Sequence, residues 1–199
     1  MRGGETIKIM TAYFKKVTRG FTLIELLIVM AILGVLAVVV LVAINPVQQL
    51  ARTRDAGRKS GITQIGHSLQ AYYTTHGGDY VTEDNAWVTS LVNAGELSSV
   101  PTTIAYRSGF TPYTIANGIA EAGTNWYYDY DNGAGGTGQA LVYTELESDS
   151  EISKCPNLTD IAWFVWDTES GRGGLVCIAA GEPNAGGWGA GTWVFNPTQ

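Results

Sequence analysis

From Leu26 to Ile44 the chain runs nineteen residues without a charge or a strongly polar group, and counting back to Phe21 gives twenty-four interrupted only by Thr22 and Glu25. At 1.5 Å per residue, a helix of that length crosses the roughly 30 Å hydrocarbon core of a bilayer. Charge sets its direction. Lys15, Lys16 and Arg19 stand before the run and no base follows until Arg52, so the positive-inside rule puts the N-terminus in the cytoplasm and everything after Ile44 outside. A cleavable secretory signal has a shorter apolar region with small residues beyond it. This run is too long, and it continues past Pro46 into further helical sequence.

The distinctive residues precede the run. Lys15-Lys16-Val17-Thr18-Arg19-Gly20 leads directly into Phe21-Thr22-Leu23-Ile24-Glu25-Leu26-Leu27-Ile28-Val29. This closely resembles the leader and cleavage signature of type IV pilins and type II secretion pseudopilins, and the resemblance rests on residues 15–44. It implies a prepilin peptidase that cuts on the cytoplasmic side between Gly20 and Phe21 and N-methylates Phe21. It also implies an assembly ATPase, an inner-membrane platform protein, and other copies of the chain and related pilins as partners. The product would be a filament subunit, first held in the inner membrane by a single pass and then part of a periplasmic or extracellular filament. Phe21 matches the type IVa class, whereas twenty residues is long for its leader. A start at Met10 leaves eleven residues, and both starts stand.

Glu25 has a physical reason to be there. A carboxylate within an apolar span costs about 2.5–3.5 kcal/mol on insertion scales. Cleavage creates a cation, the Phe21 amine, which stacking can bring beside Glu25 of a neighbouring subunit. In low dielectric the pair attracts strongly and sets the axial register between helices, the role that the resemblance implies for this glutamate. The plain alternative is a carboxylate at the membrane edge that snorkels or protonates.

Beyond the span, Ile62, Ile65, Leu69 and Tyr72 form a stripe of helical period, and Gly77-Gly78 ends it. A helix over 21–75 would be roughly 80 Å long. Pro46 removes a hydrogen bond and predicts a kink at Asn45–Pro46, while Gly57, Gly61 and Gly66 each cost about 1 kcal/mol relative to alanine. Arg52, Arg54, Arg58 and Lys59 read either as a solvated face or as contacts for acidic neighbours or lipid headgroups. After Gly78 the sequence breaks into short segments: a helix and turn over 87–97, then strands within 125–130, 140–144, 161–166, 174–178 and 192–195. The expected fold is α+β and pilin-like, a long N-terminal helix, transmembrane and then amphipathic, packed on a C-terminal antiparallel sheet. The expected divisions are a leader at 1–20, an assembly helix at 21–45, its amphipathic continuation at 46–76 and a β-rich extracytoplasmic domain at 77–199. Tyr72-Tyr73 before the glycine turn loosely favours the major pseudopilins.

Residues 77–199 hold fifteen acids and three bases, so their general surface repels nucleic acid. Cys155 and Cys177 read as a disulfide in an exported domain, closing a loop worth about 3 kcal/mol; two unrelated buried thiols are the alternative. No cofactor is expected. Asp129 and Asp131, with Asn132, are weak calcium candidates, since some members of the resembled family bind calcium in this part of the domain. An EF-hand would need a glutamate where Ala140 stands, and Asp-Asn-Gly is ordinary turn sequence. Residues 133–138 fit GxGxxG but lead into strand-like sequence, which reads as a hairpin loop. His67 and His76 lack a nucleophile or metal partner in sequence, and the tryptophans, Trp163, Trp166, Trp188 and Trp193 among them, read as packing. No catalytic constellation is visible, so an enzyme is not expected. A rival reading is a signal-anchored binding domain that never polymerises.

Overall fold

The computed structural model describes residues 20–132, 138–157, 159–187 and 193–195, with backbone alone at Gly187 and 193–195. The chain divides into two compact units at the Asn45–Pro46 bond. Among its described residues the first holds one helix, α1 (Leu23–Ile44), with Thr22 as N-cap and Asn45 as C-cap.

The second unit begins with α2 (Pro46–Thr75), followed by α3 (Trp87–Asn93), β1 (Ile119–Ala120), β2 (Tyr127–Tyr130), β3 (Ala140–Glu145), α4 (Asp149–Ile152), β4 (Asp160–Asp167), β5 (Arg172–Ala179) and β6 (Trp193–Phe195). The six strands form one antiparallel sheet in sequence order. This is the α+β arrangement that the periodicity predicts. Three pieces were not legible: the two-residue β1, the single turn of α4 and a 3₁₀ turn at Ala185–Gly187. All are too short to carry a period.

The helical stretch is interrupted where the proline predicts, with a different local cause. Asn45 takes the left-handed conformation at φ 45° and ends α1, a role asparagine tolerates. Pro46 is then the first residue of α2, where its missing N–H is no loss.

One face of α2 runs Ala51, Asp55, Arg58, Ile62, Ile65 and Leu69, all buried, at alternating steps of four and three. Its apolar half packs with Trp87, Val88 and Leu91 of α3, and with Tyr128, Val142 and Trp166 of the sheet. The opposite sheet face buries Leu141, Tyr143, Trp163, Val165 and Val176 beneath Tyr113 and Ile115 of an irregular segment. Both faces are covered, so every residue of β3 is buried. The α2 glycines serve this packing. A Cβ at Gly66 would lie 2.3 Å from the Trp166 ring, and one at Gly61 2.8 Å from Trp126. Their helix-propensity cost purchases close approach of two indoles.

Candidate assembly and processing site

Gly20 and Phe21 are exposed immediately before α1, Phe21 to 84%. Thr22 and Glu25 form a reciprocal cap. The Thr22 N–H and hydroxyl each donate to Glu25 Oε2 at 2.8 Å, and Glu25 N–H donates to Thr22 Oγ1 at 3.2 Å. Two otherwise orphaned N–H groups of the first turn are satisfied. The carboxylate is thereby aimed back at the helix N-terminus, where negative charge is favoured.

The rest of α1 is apolar on every side, and none of its residues is buried. By length and composition it is able to cross a membrane. Such a helix must meet lipid or other helices, because water offers no compensation for so large an apolar surface.

In the second unit three of the four basic residues early in α2, Arg54, Arg58 and Lys59, pair with acids of the domain, while Arg52 is exposed. Arg58 is fully buried: Nη1 donates to Asp55 Oδ1 at 2.7 Å and Glu147 Oε1 at 3.2 Å, and Nη2 to the carbonyls of Ile104 and Ala105 at 3.1 Å each. Its guanidinium lies 4.0 Å from the Tyr106 ring centroid. Arg54 Nε donates to Glu147 Oε1 at 2.5 Å, and Lys59 pairs with Glu151 at 2.8 Å. Asp55 accepts from the N–H groups of Glu147 and Ser148 at 3.1 and 2.8 Å. For Arg54, Arg58 and Lys59 the expectation of a solvated or neighbour-contacting face is thus corrected. Asp55 is a local i, i+3 partner of Arg58, but Glu147 and Glu151 lie about ninety residues away in sequence, where no local pattern links them. Burial opposes ionisation of Glu147, but Arg54, the Arg107 N–H and Arg58 together hold its carboxyl below the usual range.

Cys155 and Cys177 are joined in a disulfide with Cα atoms 5.6 Å apart, beside Leu146, Ala162 and Leu175. Asp129 Oδ2 accepts from the Ala185 N–H at 2.5 Å, and Asp131 closes the β2–β3 hairpin through Gln139 O and the Gly138 N–H. Among the described residues no three acid, histidine or cysteine side chains converge as metal ligands. Glu83 comes to Asp129 from far off in sequence, and burial pushes its carboxyl upward. Residues 133–137, with Trp188, lie outside the described residues, as does the basic leader; the flanking strands pair antiparallel, Tyr130 opposite Ala140. His67 packs edge-on against Trp166 at 4.5 Å, and His76 stacks on Tyr72 at 3.7 Å at the end of α2. Trp163 and Trp166 are core residues.

A capped helix, apolar on every side beyond Glu25 and able by length to cross a membrane, precedes a separate α+β unit, the pattern of a membrane-anchored subunit. Residues 15–41 match the prokaryotic N-terminal methylation motif. The chain is 32% identical over 108 residues to the fimbrial protein EcpC of Eikenella corrodens, an alignment covering 54% of this chain and 69% of that one. No solved structure matches. The chain belongs to the type IV pilin family, and is a pilin-type structural subunit.

Proposed function

We propose that prepilin peptidase cuts the chain between Gly20 and Phe21, N-methylates Phe21, and releases a subunit that polymerises through α1 into a type IV pilus filament. The reading is carried by α1 itself: twenty-two residues, none buried, with one acid in the first turn. The name of the Eikenella relative supports a pilus over a pseudopilus. The N-terminus is cytoplasmic before assembly, with 1–20 as leader, 21–45 as the membrane and assembly helix, 46–76 as its amphipathic continuation and 77–199 as the domain outside. The assembly ATPase and platform protein act on the membrane-held form.

In the uncleaved chain Thr22 satisfies the Glu25 carboxylate. Cleavage places a cationic amine one residue before that cap. In the filament, Glu25 pairs with the Phe21 amine of a neighbour, which sets register while apolar packing supplies the association energy.

Mass spectrometry of the protein recovered from its host should find N-methylated Phe21 as the first residue. An intact leader on working protein would favour the signal-anchored binding domain. Glu25→Ala should be processed normally yet form few filaments by electron microscopy; filaments in wild-type numbers would remove Glu25 from assembly.

A further inference from the structure

The first turns of α2 carry side chains that the packing of the domain does not use. Val47 and Leu50 stand one turn apart, 54% and 59% exposed. Arg52 is exposed as well, and among the described residues it has no acid partner, whereas Arg54, Arg58 and Lys59 each have one. Gln48 accepts the Asp149 N–H at 3.1 Å, which seats the α4 turn beside the same end of α2. The first four turns of α2 and residues 147–154 together hold five bases and four acids, while the remainder of 46–199 holds two bases and twelve acids. One end of an acidic unit is therefore slightly basic. The other end is not: Glu96 accepts the Thr75 hydroxyl at 2.8 Å, Asp79 follows four residues on, and Glu169 shares a cavity wall with Tyr73. Along α2 those acids lie about 35 Å from Arg52, beyond the roughly 8–10 Å over which salt lets charges act.

Chain length bounds how far the basic end can stand from the apolar span, whatever the angle at Asn45. Where α1 spans a bilayer, its twenty-two residues fill the hydrocarbon core and put Ile44 at the outer edge. Two peptide units and the helical rise from Pro46 then hold Val47 and Leu50 within about 13 Å of that edge and Arg52 within about 17 Å. The headgroup layer adds about 5–7 Å beyond the core, and arginine bends its long stem toward whichever layer suits its charge. Exposed apolar side chains at this depth fit the boundary between headgroups and acyl chains, and a guanidinium matches a phosphate through two parallel N–H···O bonds. Leu50 and Arg52, two residues apart, lie on opposite sides of the helix, so these side chains make a collar rather than a stripe. We propose that Val47, Leu50 and Arg52 seat the membrane-held subunit in the headgroup layer, with the Arg52 guanidinium on the phosphate of an anionic phospholipid. The inference rests on the membrane-held form proposed above. Asp149, exposed at the same end, opposes the contact, and the acidic remainder of the domain is repelled from the lipid surface.

The test places the full chain, dilute, in bilayers of three parts phosphatidylcholine to one part phosphatidylglycerol, and follows dephasing of arginine Cζ carbons by lipid phosphorus in solid-state NMR. The Arg52 signal, assigned by its loss in Arg52→Gln, should dephase, and at least about two-fold less in phosphatidylcholine alone. Asp149→Asn should increase the effect. The thermal midpoint of Arg52→Gln should equal that of the parent; a lowered midpoint would give Arg52 a role within the fold instead. A nitroxide on Leu33→Cys, in the middle of the span, keeps two failures apart. Bilayer depth at residue 33 without dephasing of Arg52 overturns the collar alone, whereas water exposure there overturns the membrane-held form and the collar with it. Equal dephasing in phosphatidylcholine alone removes the anionic lipid from the proposal. Contacts from Arg52 to a second, differently labelled copy in place of phosphorus would make this end a subunit interface and refute lipid seating.

Discussion

Arg58 shows how much one residue can hold. Its two terminal nitrogens serve two carboxylates and two carbonyls, tying α2 to the segment at Ile104–Ala105 and to the end of β3. A buried pair that loses one partner leaves an uncompensated charge, which typically costs 3–5 kcal/mol. Arg58→Met should therefore destabilise the second unit by about that amount, read as a lower thermal midpoint by circular dichroism. Arg58→Lys should recover only part, because an ammonium cannot fork to four acceptors. A loss below about 1 kcal/mol for Arg58→Met would mean that Arg54 alone neutralises Glu147. Gly66→Ala adds only a methyl, yet places it against the Trp166 ring. It should cost about 1–3 kcal/mol by overpacking, despite raising helix propensity. Stabilisation instead would mean that the indole moves aside freely.

Among the elements, α1 and α2 differ in what their surroundings ask of them. α1 has no amphipathic face: it is apolar all round with none of its residues buried, the pattern of a helix suited to lipid or to other apolar helices. α2 carries one buried stripe, charged near its start and apolar further on. The disulfide acts at this scale too: it ties the residue after the α4 turn to β5, with all of β4 between them in sequence. In the chain-entropy model, opening it should remove about 3 kcal/mol. Cys155→Ser/Cys177→Ser should lower the thermal midpoint of the non-reduced protein to that of the reduced parent. A double variant as stable as the oxidised parent would make the bond incidental to the fold.

For the molecule as a whole, acidity is a construction material. Of the fifteen acids in 77–199, six are buried: Glu121, Glu145, Glu147, Asp160, Asp167 and Glu182. Each accepts a backbone N–H, from Val88, Tyr113, Arg107, Asn157, Glu169 and Ala116 respectively. Three of these bonds pin the irregular segment that covers the second sheet face. Composition alone reads as surface charge, whereas much of that charge supports a domain short of regular hydrogen-bonding structure. Its pH response follows. Burial pushes the Glu145 carboxyl up to about 7, against the Tyr113 N–H and Arg58, which lower it. A raised folded-state value gives stability that is complete below the unfolded value near 4.5 and lost as pH climbs through about 7. Glu147 and Glu151 are lowered, so their contributions hold above that range and fade as pH falls. Glu145→Gln keeps an acceptor for Tyr113 and should gain stability relative to the parent between pH 4.5 and 7. Urea midpoints measured across that range would show it; parallel curves would mean that Glu145 ionises without penalty.

By itself the sequence determined the apolar span, the methylation motif, the helical stripe of α2 and most strands. Each of these is local: a run, a period or a spacing readable within about twenty residues. The tertiary structure alone decided the rest, because it depends on residues far apart in the chain. Arg58 finds Glu147 eighty-nine residues on, and Gly66 meets Trp166 across the core. Tyr130 likewise meets Tyr80 only after β2 is laid beside the end of α2. Local periodicity encodes which face of an element seeks burial; which partner it meets there is fixed only when the elements pack, since only then do distant charges lose water and need one another.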